Sequence, residues 1–265
     1  MILFDGHAHI YDCYDLEKFF TAAFVNFSKA GAQLQNGSPT SYFMLLAEAT
    51  GVYYFKRLQD RAKTQKDVHA TPWRVEESDE PHSLYVFHED FPSMRLIVAA
   101  GRQLITKEKL ELLALMTDQE FEDGMTLERG VKAVSGAGGI PVCPWGAGKW
   151  MGPRGDVLTK YMMNKSDLFY LGDSGGRPSF WPRPSLFKEN SVATKLLSGS
   201  DPLPLRGEEI KVGQFGAYID CGCPEELLVT FLRDQLKKPE TKLTGYGRPC
   251  CPLMFIKNQV ALRLK

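Results

Sequence analysis

The sequence predicts an α/β protein: a single, distorted TIM-like βα barrel spanning residues 1–265, with a small β-hairpin insertion at 67–101 and a doubly wound open sheet as the second choice. Three observations lead there. Apolar runs of strand length alternate with segments of helical periodicity, polar loops follow the strand-like runs, and 43% apolar residues in a chain of 265 can fill one large core.

Residues 2–9 form a short apolar run broken by Asp5, His7 and His9, the pattern of a buried strand ending in polar groups. Asp15 reads as the cap of a helix over 16–30, where Leu16, Phe19, Phe20, Ala23, Phe24 and Phe27 recur at helical spacing. A second unit follows, a strand at 41–49 and a helix at 53–62. Between 67 and 101 the rhythm changes: 73–76, 84–87 and 95–100 read as short strands parted by Pro, Ser and Asp clusters. The alternation resumes with helices at 107–116 and 126–137, a strand at 140–144, a helix at 156–164, strands at 168–171 and 194–198, and a helix at 224–237.

Charge and cysteine usage narrow the class. With 32 basic and 32 acidic residues the chain has no global field, so neither nucleic acid nor an anionic membrane is an expected partner, and any anion site is local. Six cysteines fall in spacings that match neither a zinc ribbon nor a secreted disulfide framework, and residues 1–5 lack a basic or apolar leader. A cytoplasmic protein with reduced thiols is expected; the sequence says nothing of oligomeric state.

The chemistry-bearing residues cluster at strand ends. In a strand, positions i and i+2 share a face, so His7 and His9 can offer two imidazoles to one cation, with Asp5 one step deeper to hold the strand end or a ligating ring. The late strand ending in Gly199-Ser200-Asp201 supplies a carboxylate, Asp201, as a third ligand or as a base, provided the two strands lie side by side. Between them lie two Gly-rich exits. One carries Lys149 and Arg154, the other Asp173 and Arg177, which gives three cations for a phosphate or carboxylate and a spare carboxylate. Neither exit is a P-loop or a dinucleotide fingerprint. His69, His82 and His88 read as surface histidines of the insertion.

Asp5-Gly6-His7-Ala8-His9 and Gly199-Ser200-Asp201, in this order, resemble the opening and closing motifs of the polymerase and histidinol phosphatase (PHP) family of metal-dependent hydrolases and, more distantly, the amidohydrolase superfamily. Gly101-Arg102-Gln103 looks like that family's Gly-x-Glu, and residues 138–145 look like its Gly-Gly-x-x-x-x-Ala-His-Pro strand. The chain departs from the pattern at Gln103, at Cys143-Pro144-Trp145 and at Leu203, where the family has Glu, Ala-His-Pro and a ligand His. The resemblance therefore implies a reduced, mononuclear site: one divalent ion (Zn, Mn or Fe) on His7, His9 and Asp201, with Asp201 and Asp173 as catalytic carboxylates. Lys149, Arg154 and Arg177 would bind a small anionic substrate, a phosphate ester first. The alternatives are a degenerate barrel that only binds an anionic ligand or a protein partner, and an amide or lactone hydrolase.

Overall fold

The computed structural model describes residues 1–34, 40–64, 71–164, 167–187 and 195–264. Two mixed sheets lie face to face with helices on their outer sides. The first is built from β1 (Ile2–Ala8), β2 (Ser41–Leu46), β3 (Trp73–Glu77), β4 (Ser83–His88), β5 (Leu96–Ala99), β11 (Gly216–Ile219) and β12 (Thr244–Tyr246), in the order β12-β11-β1-β2-β5-β4-β3. The second is built from β6 (Gly101–Ile105), β7 (Glu111–Leu115), β8 (Ile140–Pro144), β9 (Tyr170–Ser174) and β10 (Lys195–Gly199), in the order β10-β9-β8-β7-β6.

The expected barrel is not formed, because neither sheet closes on itself. A βα barrel needs a ring of parallel strands joined by helical crossovers. Among the described strands, β1–β2, β2–β5, β8–β9 and β9–β10 pair in parallel, and β1 has antiparallel β11 as its other neighbour. The segment 107–116, read from its sequence as a helix, holds β7, which pairs antiparallel with β6 and β8. Its apolar run is continuous because both faces are buried: Leu112 and Ala114 enter one core cluster while Leu113 and Leu115 enter another. A strand covered on both sides loses the alternation that would identify it.

Three cores follow from this layering. Phe19, Phe20, Phe24 and Phe27 of α1 (Leu16–Leu34) and Leu58 of α2 (Tyr54–Thr64) pack on Met44, Leu46, Leu96 and Val98, on the outer face of the larger sheet. Between the sheets, Ile2, Phe4, Phe43, Leu45 and Ile97 meet Leu113, Leu115, Ile140, Val142 and Tyr170, joined by α5 (Leu228–Lys237). The smaller sheet's outer face is covered by α3 (Leu127–Gly136) and α4 (Pro153–Asn164). A final helix, α6 (Pro252–Arg263), was not evident in the sequence, and neither were β11 and β12. The strands β3 and β4, from the stretch read as an insertion, extend the larger sheet antiparallel, while β5 pairs in parallel with β2 inside it. Residues 67–70 and 194 lie outside the described residues, as does His69.

The sheets touch where β1 meets β10, and two glycines permit the approach. A Cβ on Gly199 would lie 2.2 Å from the His7 nitrogen, and one on Gly6 would lie 2.8 Å from the Ser198 carbonyl oxygen. Such separations are inside van der Waals contact, so any side chain at either position would push the strands apart.

Candidate metal centre

At that seam the first and last strands of the early motifs come together. His7 is the penultimate residue of β1 and His9 follows the strand, while Asp201 lies two residues past β10. The Asp201 amide donates to the His7 carbonyl at 2.8 Å. Asp201 holds a left-handed backbone, φ 48°, a conformation that aspartate tolerates better than most residues.

Asp5 locks this arrangement. Its buried carboxylate accepts from the amides of His7 (3.1 Å), Ser200 (2.8 Å) and Gly213 (2.8 Å), and from the Ser200 hydroxyl (2.5 Å). One side chain thus ties β1, the exit of β10 and the turn before β11. Burial raises the Asp5 carboxyl to about 6 in spite of these donors. Of the two roles open to it from sequence, Asp5 holds the strand end.

The three candidate ligands converge. His7 Nε2 and His9 Nε2 are 2.9 Å apart, and Asp201 Oδ1 stands 3.7 Å from the first and 3.6 Å from the second. Tetrahedral zinc with bonds near 2.0–2.1 Å requires donor separations of about 3.3 Å, a value these three distances bracket. Asp201 Oδ2 accepts a hydrogen bond from the Ser174 hydroxyl at 2.9 Å, which leaves Oδ1 to the histidines.

Protonation states suit a cation. Burial drives the His7 imidazole down to about 4, with Asp201 opposing and His9 assisting, so the ring is neutral near pH 7. For Asp201, desolvation favours the acid, but His7, His9 and Ser174 outweigh it and hold the carboxyl well below the usual carboxylate range. The donor set is two imidazoles and one carboxylate, the mixture that zinc and other borderline divalent ions accept. Among the described residues this is the one group of three such side chains whose ligand atoms all lie within 4.8 Å of one another.

His9, Asp201 and Ser174 open onto a cavity of about 330 Å³ whose other walls include Tyr11, Gln103, Glu111, Lys149 and Asn258. Lys149 Nζ is ion-paired with Glu111 on the cavity wall. Gln103 stands beside His7, and its buried side-chain oxygen faces the imidazole as an acceptor. Tyr11 stacks on His9 with ring centroids 5.3 Å apart.

The remaining residues singled out from sequence lie elsewhere. Arg177 binds Asp173 through two parallel contacts of 2.8 and 3.0 Å, and both side chains are buried. Arg154 donates to the Gly148 carbonyl at 2.8 Å. None of the three lines the cavity, so Lys149 is the cation present there. His82 faces Asp118 and His88 is buried against Thr21.

Sequence reasoning missed Ser174, Glu111, Tyr11 and Asn258. Ser174 follows Asp173 at the end of β9, and the strand-end logic that selected Asp173 applied equally to it. Glu111 was hidden by the helical reading of its segment. Asn258 belongs to α6, for which no signal was extracted.

No protein-family model and no curated protein matches the sequence. Among solved structures, the chain is similar to PsfC from Pseudomonas syringae, with a TM-score of 0.52 and 12% identity over 98% of this chain and 96% of that one. At this identity the likeness bears on the fold alone, and it extends over nearly the whole of both chains.

Proposed function

We propose that the protein is a metal-dependent hydrolase with a mononuclear centre on His7, His9 and Asp201, acting on a small anionic ester, a phosphate ester first. The observation that carries this reading is the convergence of two imidazoles and one ionised carboxylate at tetrahedral spacing beside a solvent-reaching cavity. A divalent ion there would supply Lewis acidity and lower the pKa of a coordinated water toward neutrality.

The chain's own residues define the rest. Ser174 fixes the Asp201 carboxylate, and Asp5 fixes the strand end that carries the histidines. The Gln103 oxygen offers an acceptor beside His7. Lys149 would contribute its charge to an anion by exchanging Glu111 for the substrate. A second reading, binding without turnover, is favoured by that same ion pair, because Lys149, the cation among the described lining residues, already has a partner.

Protein prepared without chelator should carry close to one divalent ion per chain, lost in His7→Ala, and should hydrolyse p-nitrophenyl phosphate in a metal-stimulated way. Preference for p-nitrophenyl acetate would move the chemistry to acyl transfer. Metal content near zero together with no hydrolysis would remove the enzymatic reading.

A further inference from the structure

Behind the wall formed by Trp145 and Gly146 lies a second cavity of about 270 Å³, and both residues line the two cavities at once. The divide follows β8 directly, so the annex adjoins the cavity onto which His9 and Asp201 open. Its chemistry differs from that of its neighbour. Trp145, Trp150, Trp181, Met151, Pro182 and Leu186 contribute to the lining, and among the described residues the charged one there is Asp156.

This contrast divides labour between the cavities. With a divalent ion on its ligands, the first cavity would set that ion and Lys149 against Glu111 and Asp201, so it suits the anionic end of a substrate. Among the described residues, the annex lining has one carboxylate and no basic side chain, so it repels a second anion. Tryptophan faces accept planar rings, and such stacking is sequence-tolerant because it needs only a π-surface. Trp145 is buried and meets Trp181 edge to face at 5.9 Å, which fixes the shared wall. The aromatic string continues outward through Phe180, itself 57% exposed, to Phe255 on the rim of the first cavity.

We infer that the annex binds a planar aromatic group carried by the same small anion that the metal centre takes, making an aryl or heteroaryl ester, rather than an alkyl one, the substrate class. This rests on the proposed reading for the anionic end. Asp156 and the Thr159 hydroxyl at the annex edge can accept hydrogen bonds from ring substituents, so rings bearing N–H groups fit better than bare hydrocarbon.

Binding of phenyl phosphate and of methyl phosphate to the zinc-loaded full chain, measured calorimetrically, tests the inference. Phenyl phosphate should bind about tenfold more tightly, the factor that one stacking contact supplies. Trp181→Ala should reduce that advantage to less than about threefold without changing methyl phosphate affinity, and Trp181→Phe should restore it. Equal binding of the two esters, absence of phenyl phosphate binding, or an advantage that survives Trp181→Ala would overturn it. Aryl preference in binding with no hydrolysis of either ester would support the annex while removing the hydrolase reading; hydrolysis of both without binding preference would do the reverse.

Discussion

The Asp201 amide donates to the His7 carbonyl at 2.8 Å, joining two residues from opposite ends of the sequence across the line where the sheets meet. This backbone contact brings the Asp201 carboxylate to the imidazoles, and it exists only because Gly6 and Gly199 leave no side chains between the strands. The site is thus a product of close backbone packing before it is a product of its ligands.

Gly199→Ala should therefore act on the proposed metal centre without altering His7, His9 or Asp201. Its Cβ would sit 2.2 Å from the His7 nitrogen, so the strands must separate, at a cost of about 1–3 kcal/mol. Zinc affinity should fall at least about tenfold, because donor spacing is lost with the contact. Gly136→Ala in α3, where no atom lies within 4 Å of the new Cβ, should be neutral or stabilising by up to about 1 kcal/mol. Urea titration and zinc competition on both variants check the pair; unchanged zinc affinity in Gly199→Ala would refute the seam's role.

In the metal-free protein, His7 should make the fold sensitive to acid. Its folded value of about 4 lies below the ordinary 6.5, so between these values the unfolded chain holds a proton that the folded one lacks. Stability consequently falls as pH drops through this window, by up to about 3 kcal/mol. Asp5 works in the other direction: raised from 3.8 to about 6, it binds a proton in the folded state first, and stabilises as pH falls through that range. Removing the first contribution in His7→Gln should shift the balance, so that the variant gains on the wild type between about pH 7 and pH 4.5. Parallel urea-midpoint profiles for the two proteins would contradict a depressed His7.

Gln103→Glu should strengthen metal binding. Gln103 stands beside His7 on the cavity wall, and a carboxylate there adds a charged donor to the two imidazoles and Asp201. An increase in zinc affinity of about tenfold is expected by competition with a chromophoric chelator. No increase would place the side chain out of reach of the ion.

Arg177 and Lys149, two cations that the sequence offers for the same purpose, should behave differently. Arg177 is buried against Asp173, so Arg177→Ala strands a carboxylate and should cost about 3–5 kcal/mol while leaving inorganic phosphate affinity unchanged. Lys149→Ala should weaken phosphate binding with a smaller effect on the urea midpoint, since Lys149 lines the cavity and is partly exposed. Weakened phosphate binding in Arg177→Ala at intact stability would assign Arg177 to the substrate.

Part of this was readable in one dimension. The H-x-H at a strand end, the carboxylate after Gly199-Ser200 and the phenylalanine face of α1 are set by side-chain periods of two and about 3.6, which covalent geometry imposes on any strand or helix. The same local rules failed at Glu111, because a strand buried on both faces shows no alternation.

Legible from local pattern, therefore, were the side chains His7, His9 and Asp201 and the strand ends that carry them. Long-range packing set the rest: the strands form two facing sheets instead of a closed ring, Arg177 is consumed by Asp173 while Lys149 faces the cavity, and His7, His9 and Asp201 converge. The reason is that pairing partners and charge pairs depend on which surfaces are buried against each other, a long-range outcome of packing that no local periodicity encodes.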